Sequence, residues 1–304
     1  MRLPRLSPVA YRRITLFALL ALGFIVVTGG AVRLTGSGLG CSDWPTCEQD
    51  QLVAPLEYHA MVEFVNRTIT GLVSVAVILA VLGSLVRVPR RRDLTWWSLG
   101  LVAGVIGQVV LGGLTVLFEL APPLVMAHFV LSMVLIWNAV VLHHRAGSDG
   151  REVSRPVTDE VRWLGWLVVA AASLVILLGT VVTGSGPHGG DEEVRRLPFV
   201  VSDVARLHGV AVVLFGVLVV VTLVAVRRDP VLRRRGEALL GVTVAQAAVG
   251  YAQYFTGVPV LLVGIHIFGA VAVWVATLWL VLAFGRAPAV DAERPATERE
   301  LVPA

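Results

Sequence analysis

The sequence predicts an all-α polytopic membrane protein, with eight transmembrane helices arranged as two parallel, pseudo-symmetric four-helix bundles. Three observations carry this expectation. Of 304 residues, 56% are hydrophobic and only 15% are charged, where an ordinary soluble domain carries about 25% charged residues. The apolar residues fall in long blocks, several near the ~20 residues that cross a bilayer. The second half of the chain also repeats motifs of the first at matching spacings. This composition excludes a water-soluble enzyme, a disordered chain and a collagen-like chain.

The apolar blocks run over residues 14–34, 63–86, 96–117, 123–143, 162–182, 204–226, 237–255 and 259–284. The first block follows a positive flank, as a signal peptide does. It is longer than a typical signal core and has a counterpart later in the chain, so it is expected to stay as structure. The corresponding division is a cytoplasmic N-terminal segment (1–13), a first four-helix half (14–143), a cytoplasmic linker (144–161), a second four-helix half (162–284) and a disordered cytoplasmic tail (285–304) rich in Pro, Ala, Glu and Arg.

The net charge is +4 and the chain has no lysine, so all 25 basic residues are arginine. Twenty of the 25 lie in the two terminal segments and the loops between blocks 2 and 3, 4 and 5, and 6 and 7. The positive-inside rule makes that face cytoplasmic, with both termini on it. The basic balance is therefore a topology signal, and no nucleic-acid partner is expected. Arg33, Arg67, Arg195, Arg196 and Arg206 remain for the outer face.

The repeat is specific. The first block ends in Thr35-Gly36-Ser37-Gly38 and the fifth in Thr183-Gly184-Ser185-Gly186. Gln108 is followed by Gly112 and by His128, and Gln246 is followed at the same spacings by Gly250 and His266. Two halves with an even number of spans share one orientation, so the repeat is parallel about an axis along the membrane normal.

Ionisable residues inside a membrane are candidates for function. His128, His208 and His266 all fall roughly 6–11 Å below the outer boundary at 1.5 Å per residue. Asn66 holds the matching depth in the second span. Two histidines at one depth on two helices of a half suggest axial haem ligands, with His208 and His266 as the pair. The alternative is hydrogen bonding across the bundle. In the first half the pair is Asn66 and His128, which suggests one permanent cofactor and one exchangeable occupant.

Glu63, one turn before Asn66, is a candidate acid or base, or else an interfacial partner of Arg67. Arg67 and Arg206 stand beside the two candidate sites and suit carboxylates such as haem propionates. Cys41 and Cys47 share one outer loop on the oxidising side, as a loop staple or as a redox pair over the first site. The glycines Gly29, Gly30, Gly112, Gly113 and Gly250 are expected to let helices approach closely. His59 and His188 fall in outer loops, and His143 and His144 at the cytoplasmic end of the fourth span.

Together these features resemble the haem A synthase family. The resemblance rests on the stretch Gly30 to Cys47, with Arg33-Leu34-Thr35-Gly36-Ser37-Gly38, Cys41 and Trp44-Pro45-Thr46-Cys47. It continues in Glu63-Phe64-Val65-Asn66-Arg67 and in His128, His208 and His266, and extends over roughly residues 10–285. The family usually reads Glu-x-x-His-Arg where this chain has Asn66, so one of its four histidines is absent.

The resemblance implies a membrane oxidoreductase of haem A biosynthesis for terminal oxidases. It would oxidise a methyl group of haem O to a formyl group by successive hydroxylations and loss of water. Haem b is the implied cofactor, ligated by His208 and His266 with Arg206 nearby. Haem O is the implied substrate, with His128 on the iron and Asn66 and Arg67 beside it. Glu63 is the implied catalytic acid, and Cys41–Cys47 a disulfide that aids substrate handling. The implied partners are a haem O synthase as substrate donor, an electron acceptor of unspecified chemistry and membrane lipid, and the plan is compatible with a homo-oligomer. The implied location is the cell membrane, with the haem sites near its outer face.

The main rival is a b-type cytochrome that only transfers electrons in the membrane. It accounts for His208 and His266 but not for Glu63, His128 or the first-loop motif. A transporter would place its polar site at the midplane on broken helices, whereas here the polar residues cluster near the outer face on unbroken spans.

Overall fold

The computed structural model describes residues 5–48, 53–147 and 155–286. Most of the expected disordered tail and part of the expected linker lie outside them. Eight helices make up most of the described chain. They are α1 (Pro8–Leu34), α2 (Tyr58–Val86), α3 (Arg92–Leu117), α4 (Pro122–Gly147), α5 (Asp159–Ser185), α6 (Val201–Val226), α7 (Pro230–Phe255) and α8 (Val260–Val281).

Seven of these are long and apolar enough to cross a membrane, and α7 is the exception. All eight expected helices are present among the described residues, and seven of them meet the expectation of an apolar span. Arg233, Arg234, Arg235 and Glu237 fill the first turns of α7, and Gln246 and Gln253 interrupt its apolar surface. Along the other helices large apolar side chains point outward, among them Leu20, Phe24, Ile106, Val213 and Leu214. Such a surface suits lipid rather than water. Trp96, Trp163 and Trp166 lie exposed near the starts of α3 and α5, where indoles settle at a membrane interface.

Several helices begin well before their apolar blocks, because capping and not hydropathy sets a helix start. Ser7 accepts from the Ala10 N–H ahead of Pro8. Thr158 accepts from the Val161 N–H, and Asp229 accepts from Val231 and Leu232 ahead of Pro230. The expected linker and tail also meet. Strand β1 (Arg155–Val157) pairs in parallel with β2 (Phe284–Arg286), so Gly285 and Arg286 are ordered chain rather than tail.

In the first half α1 packs on α2, α2 on α3, α3 on α4, and α4 back on α1. The same sequence of neighbours recurs among α5, α6, α7 and α8, and the halves meet along α1–α8, α4–α5 and α4–α8. In each half the second and fourth helices thus stand at opposite corners. Polar ties cross between the halves. The Trp274 indole Nε1–H donates to the Met133 carbonyl at 2.9 Å. Arg33 Nη2 donates to the Thr183 carbonyl at 2.8 Å, and the Gly38 N–H to the Gly190 carbonyl at 2.8 Å.

The two Thr-Gly-Ser-Gly motifs fold differently. In the first, Gly36 takes φ +65° just past the end of α1. The Ser37 N–H then returns to the Val32 carbonyl and the Gly36 N–H to the Arg33 carbonyl. This is the glycine-terminated stop in which a left-handed residue satisfies the last carbonyls. In the second, α5 continues through Thr183, Gly184 and Ser185 and is capped at Gly186.

Candidate functional site

His208 and His266 approach each other inside the second half, with ring centroids 6.4 Å apart. The Nδ1 atoms of both rings are buried and have no hydrogen-bond partner. Each ring faces a glycine on a neighbouring helix. A Cβ at Gly179 would lie 3.3 Å from His208 Cε1, and one at Gly250 would lie 3.1 Å from His266 Cε1. Across α7–α8, Gln246 Nε2 donates to the His266 carbonyl at 2.8 Å. Arg206 is exposed and pairs with Asp203 at 3.7 Å. Two residues along a helix turn about 200°, so sequence proximity to His208 does not put Arg206 on the histidine face.

The first half repeats these contacts around His128. Its Nδ1 is buried without a partner, and a Cβ at Gly112 would lie 3.5 Å from its Cε1. Gln108 Nε2 donates to the His128 carbonyl at 3.1 Å and to Ser132 Oγ at 2.7 Å. Asn66 Oδ1 is likewise buried without a partner. Asn66 is the ninth residue of α2, His128 the seventh of α4, His208 the eighth of α6 and His266 the seventh of α8. The four thus lie within about 3 Å of one depth along their helices.

Glu63 is buried and both of its oxygens are engaged. Oε1 accepts from Arg67 Nη2 at 2.6 Å and from Nε at 3.1 Å. Oε2 accepts from the Cys41 backbone N–H at 2.8 Å. Arg67 Nη1 reaches on to the Asp43 and Thr46 carbonyls at 3.1 and 2.9 Å, and the guanidinium lies over the Trp44 ring, 5.2 Å from its centroid. Cys41 and Cys47 are joined by a disulfide. Glu63, Arg67 and the loop 41–47 therefore form one clamp at the N-terminal end of α2.

The other singled-out groups have local partners. His59 Nδ1 hydrogen-bonds with Ser37 Oγ at 2.9 Å, and His188 Nε2 with the Val258 carbonyl at 2.9 Å. Near the C-terminal end of α4, His143 Nδ1 hydrogen-bonds with Thr15 Oγ1 at 3.0 Å. Arg33, Gly36, His188 and Arg196 line a cavity of about 230 Å³ between the halves. The close helix approach expected of the glycines holds at Gly30, which abuts Ile267 of α8, whereas Gly113 abuts the loop residue Trp44. Gly112 and Gly250 instead face histidine rings. Gly179 does the same and was not singled out, because no glutamine repeat flags it.

Two imidazoles that share one metal through ring nitrogens, each about 2 Å from it, have centroids about 6 Å apart. The separation of His208 and His266 fits that requirement. Two axial imidazoles are also what a haem iron takes in an electron-transfer site. The class defined here is a multi-pass helical membrane protein whose buried histidines fit haem.

Within that class, residues 12–187 match the COX15-CtaA family, described as cytochrome oxidase assembly protein. The chain belongs to this family. It is 28% identical to a heme A synthase of Caulobacter vibrioides, over 92% of this chain and 98% of that protein. It is 25% identical to a heme A synthase of Halalkalibacterium halodurans, over 86% and 91% of the two chains. A heme A synthase of Exiguobacterium sibiricum is 26% identical over 45% of this chain, and that match spans about half, 48%, of the relative's length.

Proposed function

We propose that the chain oxidises a methyl group of haem O to a formyl group, by successive hydroxylations and loss of water, in haem A biosynthesis. The observation that carries the proposal is the repeated histidine environment. A facing pair, His208 and His266, lies in one half, and a third histidine, His128, has the same glycine-faced surroundings in the other. Family membership and the relatives named heme A synthase support the same reaction.

The two halves act as parallel, pseudo-symmetric bundles. Their common order of helix neighbours and the matching glutamine-to-histidine-carbonyl bonds support this. The arginine distribution supports cytoplasmic termini and haem sites near the outer face of the cell membrane.

His208 and His266 would hold haem b, which would supply one-electron transfer when bound. His128 holds the substrate haem O, and Asn66 stands by it. The Arg67 guanidinium, spent on Glu63 and on loop carbonyls, fixes the loop over the site. Glu63 is the catalytic acid–base group. Its Oε2, the oxygen not engaged by the guanidinium, takes up and returns a proton. The disulfide keeps the Cys41 N–H on that oxygen. A haem O synthase supplies the substrate, and a membrane electron acceptor takes the electrons.

The test is expression in a host that makes haem O and lacks its own haem A synthase, followed by haem extraction and mass spectrometry. Haem A or hydroxylated haem O should appear only with this chain. Unchanged haem O, with haem b on the purified protein, would instead make it an electron carrier.

A further inference from the structure

We infer that the cavity between the halves is a binding site for one oxyanion group, a carboxylate or a phosphate, held by Arg33 and Arg196.

The cavity has about 230 Å³. It is lined from the first half by Arg33 and Gly36, and from the second by residues 188–192 and Arg196. Pockets for drug-sized ligands begin at about 300 Å³, so this one takes a charged group and not a whole cofactor. The backbone around it is fixed from several sides. His188 and Gly190 take φ of +61° and +108°. The Gly190 carbonyl accepts from the Gly38 N–H at 2.8 Å, and His188 Nε2 donates to the Val258 carbonyl at 2.9 Å. Left-handed backbone at a non-glycine residue costs energy and persists only where surrounding contacts hold it.

Both guanidinium side chains are set against this backbone. Arg33 Cγ lies 3.6 Å from the Cβ position of Gly190, and a Cβ at Gly189 would collide with the Arg196 guanidinium. The two arginines thus flank one Gly-Gly step.

Neither charge is neutralised. Arg33 Nη2 donates to the Thr183 carbonyl, which carries no charge, and its Nε is buried without a partner. Asp191 and Glu192 line the same cavity, yet among the described residues no carboxylate pairs with Arg33 or Arg196. Asp191 Oδ1 accepts instead from the Glu193 N–H at 3.1 Å, and Glu192 is exposed. A buried donor on a cation is costly to leave unpaired. Two guanidinium forks on one small cavity suit the oxygens of a carboxylate or phosphate.

Two sources carry such a group. Haem propionates are carboxylates, a source that rests on the proposed haem reading. The arginines expected beside them are otherwise placed. Arg67 is spent on Glu63 and on loop carbonyls, and Arg206 is exposed and pairs with Asp203. The cavity stands by the start of α8 through His188 and Val258, and His266 lies six residues beyond Val260, about 9 Å along the helix. The second source is a lipid phosphate, because basic pockets between spanning helices bind lipid headgroups.

The test compares full-length wild type with Arg33→Gln and Arg196→Gln. Arg196 is exposed, so its variant should fold even where Arg33→Gln does not. In one arm each protein is titrated with haem b and with haem b whose propionates are methylated. In the other, delipidated protein is heated with phosphatidylglycerol or with diacylglycerol, which lacks the phosphate. If a propionate fills the site, wild type should prefer the free acid about tenfold or more, and the variants should lose that preference. If a lipid fills it, phosphatidylglycerol should raise the unfolding midpoint of wild type by several degrees beyond diacylglycerol, and the variants should not respond. Preferences that are absent, or equal in wild type and both variants, would overturn the site. Uptake of neither haem would defeat the haem reading, and the lipid arm then decides the oxyanion site by itself.

Discussion

Glu63 and Arg67, one turn apart on α2, form a two-pronged ion pair. Oε1 of the carboxylate accepts from both Nη2 and Nε of the guanidinium. The pair does more than neutralise charge inside the membrane. Arg67 carries the link outward to the loop carbonyls of Asp43 and Thr46, and Glu63 carries it to the Cys41 N–H. Acid, base and disulfide loop are thereby one unit.

Replacing Glu63 with Gln should separate structure from chemistry. The one amide oxygen can still accept from either Arg67 or the Cys41 N–H, which keeps the shape of the side chain, but the proton-carrying group is gone. General acid–base groups contribute about 10²- to 10⁴-fold, so turnover of haem O should fall within that range. The spectrum of the haem b proposed for His208 and His266 in the other half should not change. Unaltered turnover would remove Glu63 from the chemistry.

Replacing Arg67 with Met should act on stability instead. It leaves Glu63 a buried carboxylate with only backbone N–H partners, and breaking a buried pair from one side costs about 3–5 kcal/mol. The Arg67 side chain is 18% exposed, which puts the expected loss at the low end. Thermal unfolding in detergent should show a clear drop in midpoint. The double replacement Glu63→Gln, Arg67→Met should recover part of it.

Reducing the Cys41–Cys47 disulfide frees the backbone that donates to Glu63 Oε2. Turnover should fall on reduction and return on reoxidation, with haem b content constant. A Cys41→Ser, Cys47→Ser variant should match the reduced protein and lose its response to reductant. Equal activity in both redox states would make the bond a staple only.

Glycine replacements should map the haem b cradle. A Cβ at Gly250 or Gly179 would press on the Cε1 of a histidine ring. Gly250→Leu and Gly179→Leu should therefore lower haem b content several-fold in protein that still folds. Gly29 meets nothing within 4 Å of its Cβ position, so Gly29→Ala should retain full haem content.

Much of this was legible in the chain itself. The helices follow from apolar blocks, and the equal depth of His128, His208 and His266 follows from counting residues. The shared spacing of Gln108 with His128 and of Gln246 with His266 becomes the same hydrogen bond twice. The rest depends on three-dimensional context. Helix starts at Pro8, Asp159 and Pro230 depend on capping groups that hydropathy does not weigh. Two identical Thr-Gly-Ser-Gly stretches diverge because one meets a left-handed turn and the other a continuing helix. Arg206 turns away from His208 because two residues on a helix face nearly opposite sides. The bond from Cys41 to Glu63 joins residues 22 positions apart, and no local pattern announces it.

The division of labour between the halves is tested most directly by haem extraction from three purified proteins, wild type, His128→Ala and His208→Ala, expressed where haem O is made. Wild type should yield haem b together with haem O or its oxidised products. His128→Ala should keep haem b and lose the haem O species, and His208→Ala should do the reverse. Loss of haem b from His128→Ala with retention in His208→Ala would contradict the assignment of the two sites.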